Sequence, residues 1–126
     1  MAAIYRLKTH VDFSSAHQLR GYDGPCARLH GHNYRLEVEV EANGLDDIGL
    51  AVDFRTIREA AREHVADLDH RNLNEIPPFD ELNPTAENLA MVLYRRLSAT
   101  LDSERVWVAA VTISETDRSS VRYSER

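Results

Sequence analysis

Hydrophobic and polar positions alternate over the first stretch of the chain. From Ile4 to His17, Tyr5, Leu7, Val11 and Phe13 take odd positions while Arg6, Lys8, His10 and Asp12 take even ones, the period of a half-buried strand. His17 keeps the odd parity, so an unbroken strand carries it to the apolar side, whereas a bulge near Ser14-Ser15 would reverse it. Gly21, Gly24 and Pro25 then mark a loop that carries Cys26. From His30 to Ala42 the alternation is cleanest, with Tyr34, Leu36, Val38 and Val40 on one face and Arg35, Glu37, Glu39 and Glu41 on the other. His30 and His32 share parity with the apolar set. Paired antiparallel, the two strands place His17, His30 and His32 on one face, near one end of the pair.

Asn43 to Asp47 reads as a turn, and after Val52 the period changes. Phe54, Ile57, Ala60, Ala61, His64, Val65 and Leu68 recur at three- and four-residue steps, a helix with Asp53 as N-cap. A loop rich in Asn and Pro runs from Asp69 to Pro84. Thr85 or Asn83 then caps a second helix that buries Leu89, Val92, Leu93 and Leu97 and ends near Leu101-Asp102-Ser103, with Pro84 suited to its first turn. Val106 to Glu115 reads as a third strand with Trp107, Ala109, Val111 and Ile113 on one parity, and Glu115 continues that series. After a turn at Asp117 to Ser120, Val121-Arg122-Tyr123 forms a fourth. The order ββααββ predicts one α+β domain over residues 1–126. It is a four-stranded antiparallel sheet with two helices on one face.

Composition narrows the function classes. At 126 residues the chain is long enough for one hydrophobic core. Lys and Arg total 15 against 21 Asp and Glu, a formal charge of −6, which argues against an electrostatic grip on nucleic acid or on an anionic membrane. No apolar run approaches the roughly 20 residues that span a bilayer, and the opening Met-Ala-Ala-Ile-Tyr-Arg lacks the apolar segment of a signal peptide. A cytoplasmic location is expected. The single cysteine, Cys26, has no intrachain partner and is expected to persist as a thiol.

The chemistry-bearing residues each have a plainer reading. A histidine at a strand end needs no metal, but three converging on an apolar face carry a desolvation cost that a metal would offset. Three neutral imidazoles leave a fourth coordination position open, as catalytic zinc sites do; recruiting Cys26 would close it. Alone in its loop, Cys26 is an ordinary half-buried thiol, and beside a cation it becomes competent as a base or nucleophile. Asp69-His70 is a polar helix end or an imidazole oriented by a carboxylate for proton transfer. Glu115 emerges into solvent or, at the rim of an apolar pocket, accepts two N–H donors from a heterocycle. Thr85 and Glu87 are first a helix N-terminus and second a pocket wall, while Glu37, Glu39 and Glu41 belong to the polar face of the sheet.

These residues also carry a resemblance. His17, Cys26-x3-His30-Gly31-His32-Asn33-Tyr34, Leu68-Asp69-His70-Arg71-Asn72-Leu73-Asn74, Pro84-Thr85-Ala86-Glu87-Asn88 and Glu115-Thr116 occur in this order along essentially the whole chain. The set resembles the 6-pyruvoyltetrahydropterin synthase superfamily, and within it the bacterial 6-carboxytetrahydropterin synthases of the queuosine pathway. The resemblance implies the tunnelling fold, in which three subunits join sheet edges into a barrel and two rings stack into a homohexamer, with active sites at subunit contacts. It implies zinc on His17, His30 and His32, Cys26 as the catalytic thiol, Asp69 and His70 as a proton relay, and Glu115 as anchor of the pterin's amino-pyrimidine edge. Thr85 and Glu87 are implied to lie near the pterin. The implied substrate is 7,8-dihydroneopterin triphosphate; the carboxy enzymes release triphosphate and acetaldehyde and leave 6-carboxy-5,6,7,8-tetrahydropterin.

Two local features bear on the branch. Three residues separate Cys26 from His30, as in the carboxy enzymes, whereas Glu115-Thr116-Asp117 is similar to the pyruvoyl synthases. A pyruvoyl synthase therefore stays open as the enzymatic alternative. A metal- or pterin-binding oligomer without turnover is the non-enzymatic one.

Overall fold

In a computed structural model, which describes residues 3–125, the chain forms five strands and two helices. The outermost positions of the expected domain, Met1, Ala2 and Arg126, lie outside the described residues. The strands are β1 (Tyr5–His17), β2 (His30–Ala42), β3 (Arg71–Asn72), β4 (Val106–Thr116) and β5 (Ser119–Tyr123), and the helices are α1 (Phe54–Val65) and α2 (Ala86–Leu101). In space the strands run β3-β1-β2-β4-β5; β3 is parallel to β1 and every other pairing is antiparallel. Among the described residues no helix is long and apolar enough to cross a membrane.

β1 and β2 pair in one continuous register, from Tyr5 opposite Ala42 to His17 opposite His30. The bulge that would have reversed His17 is absent from this pair, and Val11, Phe13, Ser15 and His17 are all buried along one face. Val11 sits opposite Leu36 and Phe13 opposite Tyr34, whose rings stack with centroids 5.1 Å apart. Helix α1 packs against β1, and α2 against β4 and β5. Ile57, Ala61, Leu89, Leu93 and Leu97 close the core over this face. Each fully buried Leu or Ile contributes on the order of 1.5–3 kcal/mol. The opposite face carries cross-strand ion pairs, among them Arg6–Glu41, Lys8–Glu37 and Arg122–Glu39.

The structure departs from the expected elements at several points. The sheet has five strands, because Arg71–Asn72, inside the expected loop, pairs with Ser15 and Ala16 at the outer edge of β1. In β4 the register against β2 shifts between Glu39 and Val40, so that Ala109 is an extra residue. Val106 and Val108 therefore face the core on one side of this bulge, and Val111 and Ile113 on the other. Trp107 falls opposite Glu41 and donates its indole N–H to that carboxylate at 3.2 Å. Strict alternation cannot survive such an insertion. Phe54, expected on the buried stripe of α1, is 47% exposed. Thr85, not Asn83, caps α2, which puts Pro84 before the cap and outside the first turn.

Candidate metal centre

The continuous β1–β2 register delivers the three histidines to one place. His17 and His30 are cross-strand partners, and His32 lies two residues on, on the same face. His17 is fully buried, His30 and His32 are half-buried, and one ring nitrogen from each lies within 4.8 Å of the other two. Cys26 is not part of that cluster. The Nε2 atoms of His17 and His30 are 3.0 Å apart.

The far sides of two rings explain why those nitrogens face inward. His17 donates its Nδ1–H to the Pro84 carbonyl at 2.7 Å, with the Tyr34 hydroxyl 3.2 Å from the same nitrogen. His30 donates its Nδ1–H to the Arg28 carbonyl at 2.7 Å. With both Nδ1 protons committed to carbonyls, both Nε2 atoms of the neutral rings present lone pairs, and lone pairs 3.0 Å apart repel unless a cation lies between them. Carbonyl partners on the outer nitrogens are the support that metal-bound imidazoles use. The donor set therefore fits a divalent metal with three protein ligands. Burial, above all, lowers the pKa of His17, with the neighbouring imidazoles adding to the shift against the pull of the Pro84 carbonyl; burial likewise lowers that of His32. At neutral pH both rings are therefore neutral, the form that binds metal.

Glu115 sits where β4 bulges against β5, between Ser114 opposite Ser120 and Thr116 opposite Ser119. Its Oε2 lies 3.5 Å from the Nε2 of both His17 and His32. Glu115 thus reaches the histidine side of the sheet, at the bulge where β4 meets β5. Cys26 lies in a short 3-10 turn, Pro25–Ala27, in the β1–β2 loop, half-buried and free. Thr85 is engaged as N-cap, accepting the Asn88 N–H at 3.1 Å, and Glu87 is exposed in the first turn of α2.

Asp69 and His70 are built as a pair, but elsewhere. Asp69 accepts the Ser14 N–H at 2.9 Å and holds His70 Nδ1 at 2.9 Å, while the His70 N–H donates to the Ser14 carbonyl at 2.6 Å. His70 adopts φ 59°, the left-handed region that costs a non-glycine residue energy. The pair sits at the outer edge of β1, and the largely exposed His70 lines a hollow of about 730 Å3 with Ser14, Asn33, Arg35 and Ser114. Those residues belong to the face opposite the histidines, since Ser14–Asn33 pairs alternate with Phe13–Tyr34 pairs. One chain thus brings Glu115 to the triad and leaves Asp69 and His70 on the other side of its sheet.

Sequence reasoning missed the Tyr34 hydroxyl and the Pro84 and Arg28 carbonyls. Tyr34 carried a signal, its shared parity with His32, but an aromatic on an apolar face reads as core. Backbone carbonyls have no signature in a sequence.

The family model described as 6-pyruvoyl tetrahydropterin synthase matches residues 6–126. The chain belongs to that family. Among its relatives, a 6-pyruvoyl tetrahydrobiopterin synthase of Dictyostelium discoideum is 33% identical over 123 residues, covering 88% of this chain and 89% of its own. A 6-carboxy-5,6,7,8-tetrahydropterin synthase of Rickettsia bellii is 30% identical over 124 residues, covering 84% of this chain and 90% of its own. The solved structure of the Caenorhabditis elegans 6-pyruvoyl tetrahydropterin synthase shares the fold, with a TM-score of 0.86 at 24% identity, covering 99% of this chain and 98% of that one.

The lowered pKa values of His17 and His32 set the sign of a pH effect. Between the folded values and 6.5, the ordinary value, the unfolded chain binds more protons than the folded one. Their contribution to stability is present above 6.5 and is lost as pH falls from there through the folded values. Metal-free protein is therefore expected to show a lower urea midpoint at about pH 5.5 than at about pH 7.5. The double variant His17→Gln/His32→Gln should lose most of that difference, and an unchanged difference would refute the assignment.

Proposed function

We propose that this protein is a zinc-dependent 6-carboxy-5,6,7,8-tetrahydropterin synthase acting in cytoplasmic queuosine biosynthesis. With water, it converts 7,8-dihydroneopterin triphosphate to 6-carboxytetrahydropterin, acetaldehyde and triphosphate. The observation that carries the reading is the pair of lone-pair nitrogens 3.0 Å apart, each ring locked from behind by a carbonyl, in a chain of the 6-pyruvoyl tetrahydropterin synthase family. Zinc held by His17, His30 and His32 supplies Lewis acidity toward the hydroxyls of the substrate side chain. Glu115, beside the triad, accepts two N–H bonds from the amino-pyrimidine edge of the pterin and so fixes the ring. The Cys26 thiolate takes a proton from the side-chain carbon, and His70, oriented by Asp69, takes or returns protons at the oxygen. Thr85 and Glu87 line the pterin side.

Asp69 and His70 act in this scheme on the site of a neighbouring copy. Two features support that reading. The pair lies on the far side of its own sheet, and β3 covers β1 only at Ser15 and Ala16, leaving the rest of that edge free of β partners among the described residues. Pairing free β1 and β5 edges between copies closes a ring of three and hides edges that would otherwise invite aggregation. Two rings then stack as a hexamer, each chain one domain over residues 1–126.

The carboxy reaction is favoured by the three residues between Cys26 and His30. A second reading, the pyruvoyl synthase that keeps the side chain, is favoured by Glu115-Thr116-Asp117 and by the relative from Dictyostelium. Mass analysis of the product from 7,8-dihydroneopterin triphosphate decides: the carboxy product with acetaldehyde is expected. A retained three-carbon side chain would establish the second reading, and unchanged substrate a binding protein without turnover. Cys26→Ala should keep its zinc while turnover drops roughly a hundredfold or more; loss of metal would make the thiol a ligand. Glu115→Gln should raise KM roughly tenfold or more, because an amide cannot accept both N–H bonds. Unaltered kinetics would place the anchor elsewhere.

A further inference from the structure

Beyond His17 the β1 ladder does not simply end. Two asparagine side chains take the place of a neighbouring strand. Asn74 accepts the Gln18 N–H and donates its amide to the Gln18 carbonyl, both at 2.9 Å. Asn83 does the same to Arg20, accepting the N–H at 2.9 Å and donating to the carbonyl at 3.0 Å. The residue between them turns its N–H the other way, Leu19 donating to the Cys26 carbonyl at 2.9 Å. One edge of residues 18–20 is thus gripped by two amides, and the other holds the turn that carries Cys26.

Both amides are themselves anchored. Asn74 donates its backbone N–H to the Asn72 side chain at 3.1 Å, in the short turn whose Leu73 is buried in the core. The Asn83 carbonyl accepts the Asn88 side-chain amide at 2.9 Å and the Thr85 N–H at 2.8 Å, at the capped start of α2. The next residue, Pro84, presents the carbonyl that holds His17 Nδ1. A fifth contact, from Arg20 Nη2 to the carbonyl of the buried Phe79 at 3.0 Å, closes the same seam.

We propose that Asn74 and Asn83 are positioning residues that hold the Cys26 loop in register with the metal centre. Asn83 directly precedes Pro84, whose carbonyl accepts the Nδ1–H of His17, so one residue links the thiol loop to the histidine cluster. A backbone N–H and carbonyl satisfied together by one amide lose rotational freedom that solvent would leave them. The catalytic sense of the clamp rests on the proposed role of Cys26; the clamp itself does not.

The test compares zinc-loaded wild type with Asn74→Ala and Asn83→Ala. Amide hydrogen exchange at residues 18–20 should accelerate about tenfold or more while the amides of Leu36 and Val38 keep their protection. Alkylation of Cys26 by iodoacetamide should rise about fivefold, and chelator competition should show weaker zinc only in Asn83→Ala. With 7,8-dihydroneopterin triphosphate, kcat should fall more than KM changes. Wild-type exchange and alkylation in both variants would overturn the proposal, as would an acceleration shared equally by Leu36 and Val38. Should an alanine variant fail to fold, the Asp variants at the same positions keep the volume and the acceptor but replace the amide donor with a charged carboxylate oxygen that repels the Gln18 or Arg20 carbonyl, and they should show the same local pattern. If wild type does not turn over this substrate but the local changes appear, the clamp stands and the reaction assignment falls. If wild type turns over and the local changes are absent, the clamp alone falls.

Discussion

Thirteen consecutive residue pairs between β1 and β2, from Tyr5–Ala42 to His17–His30, run without a bulge, and the candidate metal centre is built at the last rungs of that ladder. A slip of one residue would move every side chain of one strand to the other face. It would expose Val11 and Phe13, or Tyr34, Leu36, Val38 and Val40, each worth on the order of 1.5–3 kcal/mol when buried. The centre therefore borrows its precision from the core. Three histidines cannot enforce a register, but the apolar residues behind them can.

The same burial decides the chemistry at the end of the ladder. Removing His17 and His32 from water favours their neutral form, and the carbonyls of Pro84 and Arg28 fix which nitrogen of His17 and His30 keeps its hydrogen. What remains is a set of lone pairs converging at short range, a poor arrangement for an empty protein and a good one for a divalent cation. Tyr34 joins the core to this arrangement: its ring stacks on Phe13 and meets His32 edge-on with centroids 5.3 Å apart, and its hydroxyl reaches His17.

Most of this could be read in the residues because alternation is a local signal. Parity alone placed His17, His30 and His32 together. It failed in β4, where an inserted Ala109 changes the face of every residue before it, and a bulge leaves no mark in composition. The two-residue β3 was invisible for a different reason: Arg71–Asn72 is too short to show a period, and it exists only because β1 offers a free edge. The position of Asp69 and His70 on the opposite face was also beyond reach. It depends on how the chain leaves α1 and crosses the edge of the sheet, with His70 in a left-handed conformation that its residue type does not announce.

The division of labour between strand and loop has a consequence for how such a chain can change. The histidines are held by the strands, whereas Cys26 rides on the connection between them, residues 18–29. Length changes in that connection would move the thiol relative to the three histidines and leave their cluster untouched. The strands would hold the histidine cluster in place through each such change, because its register is set by the core behind it.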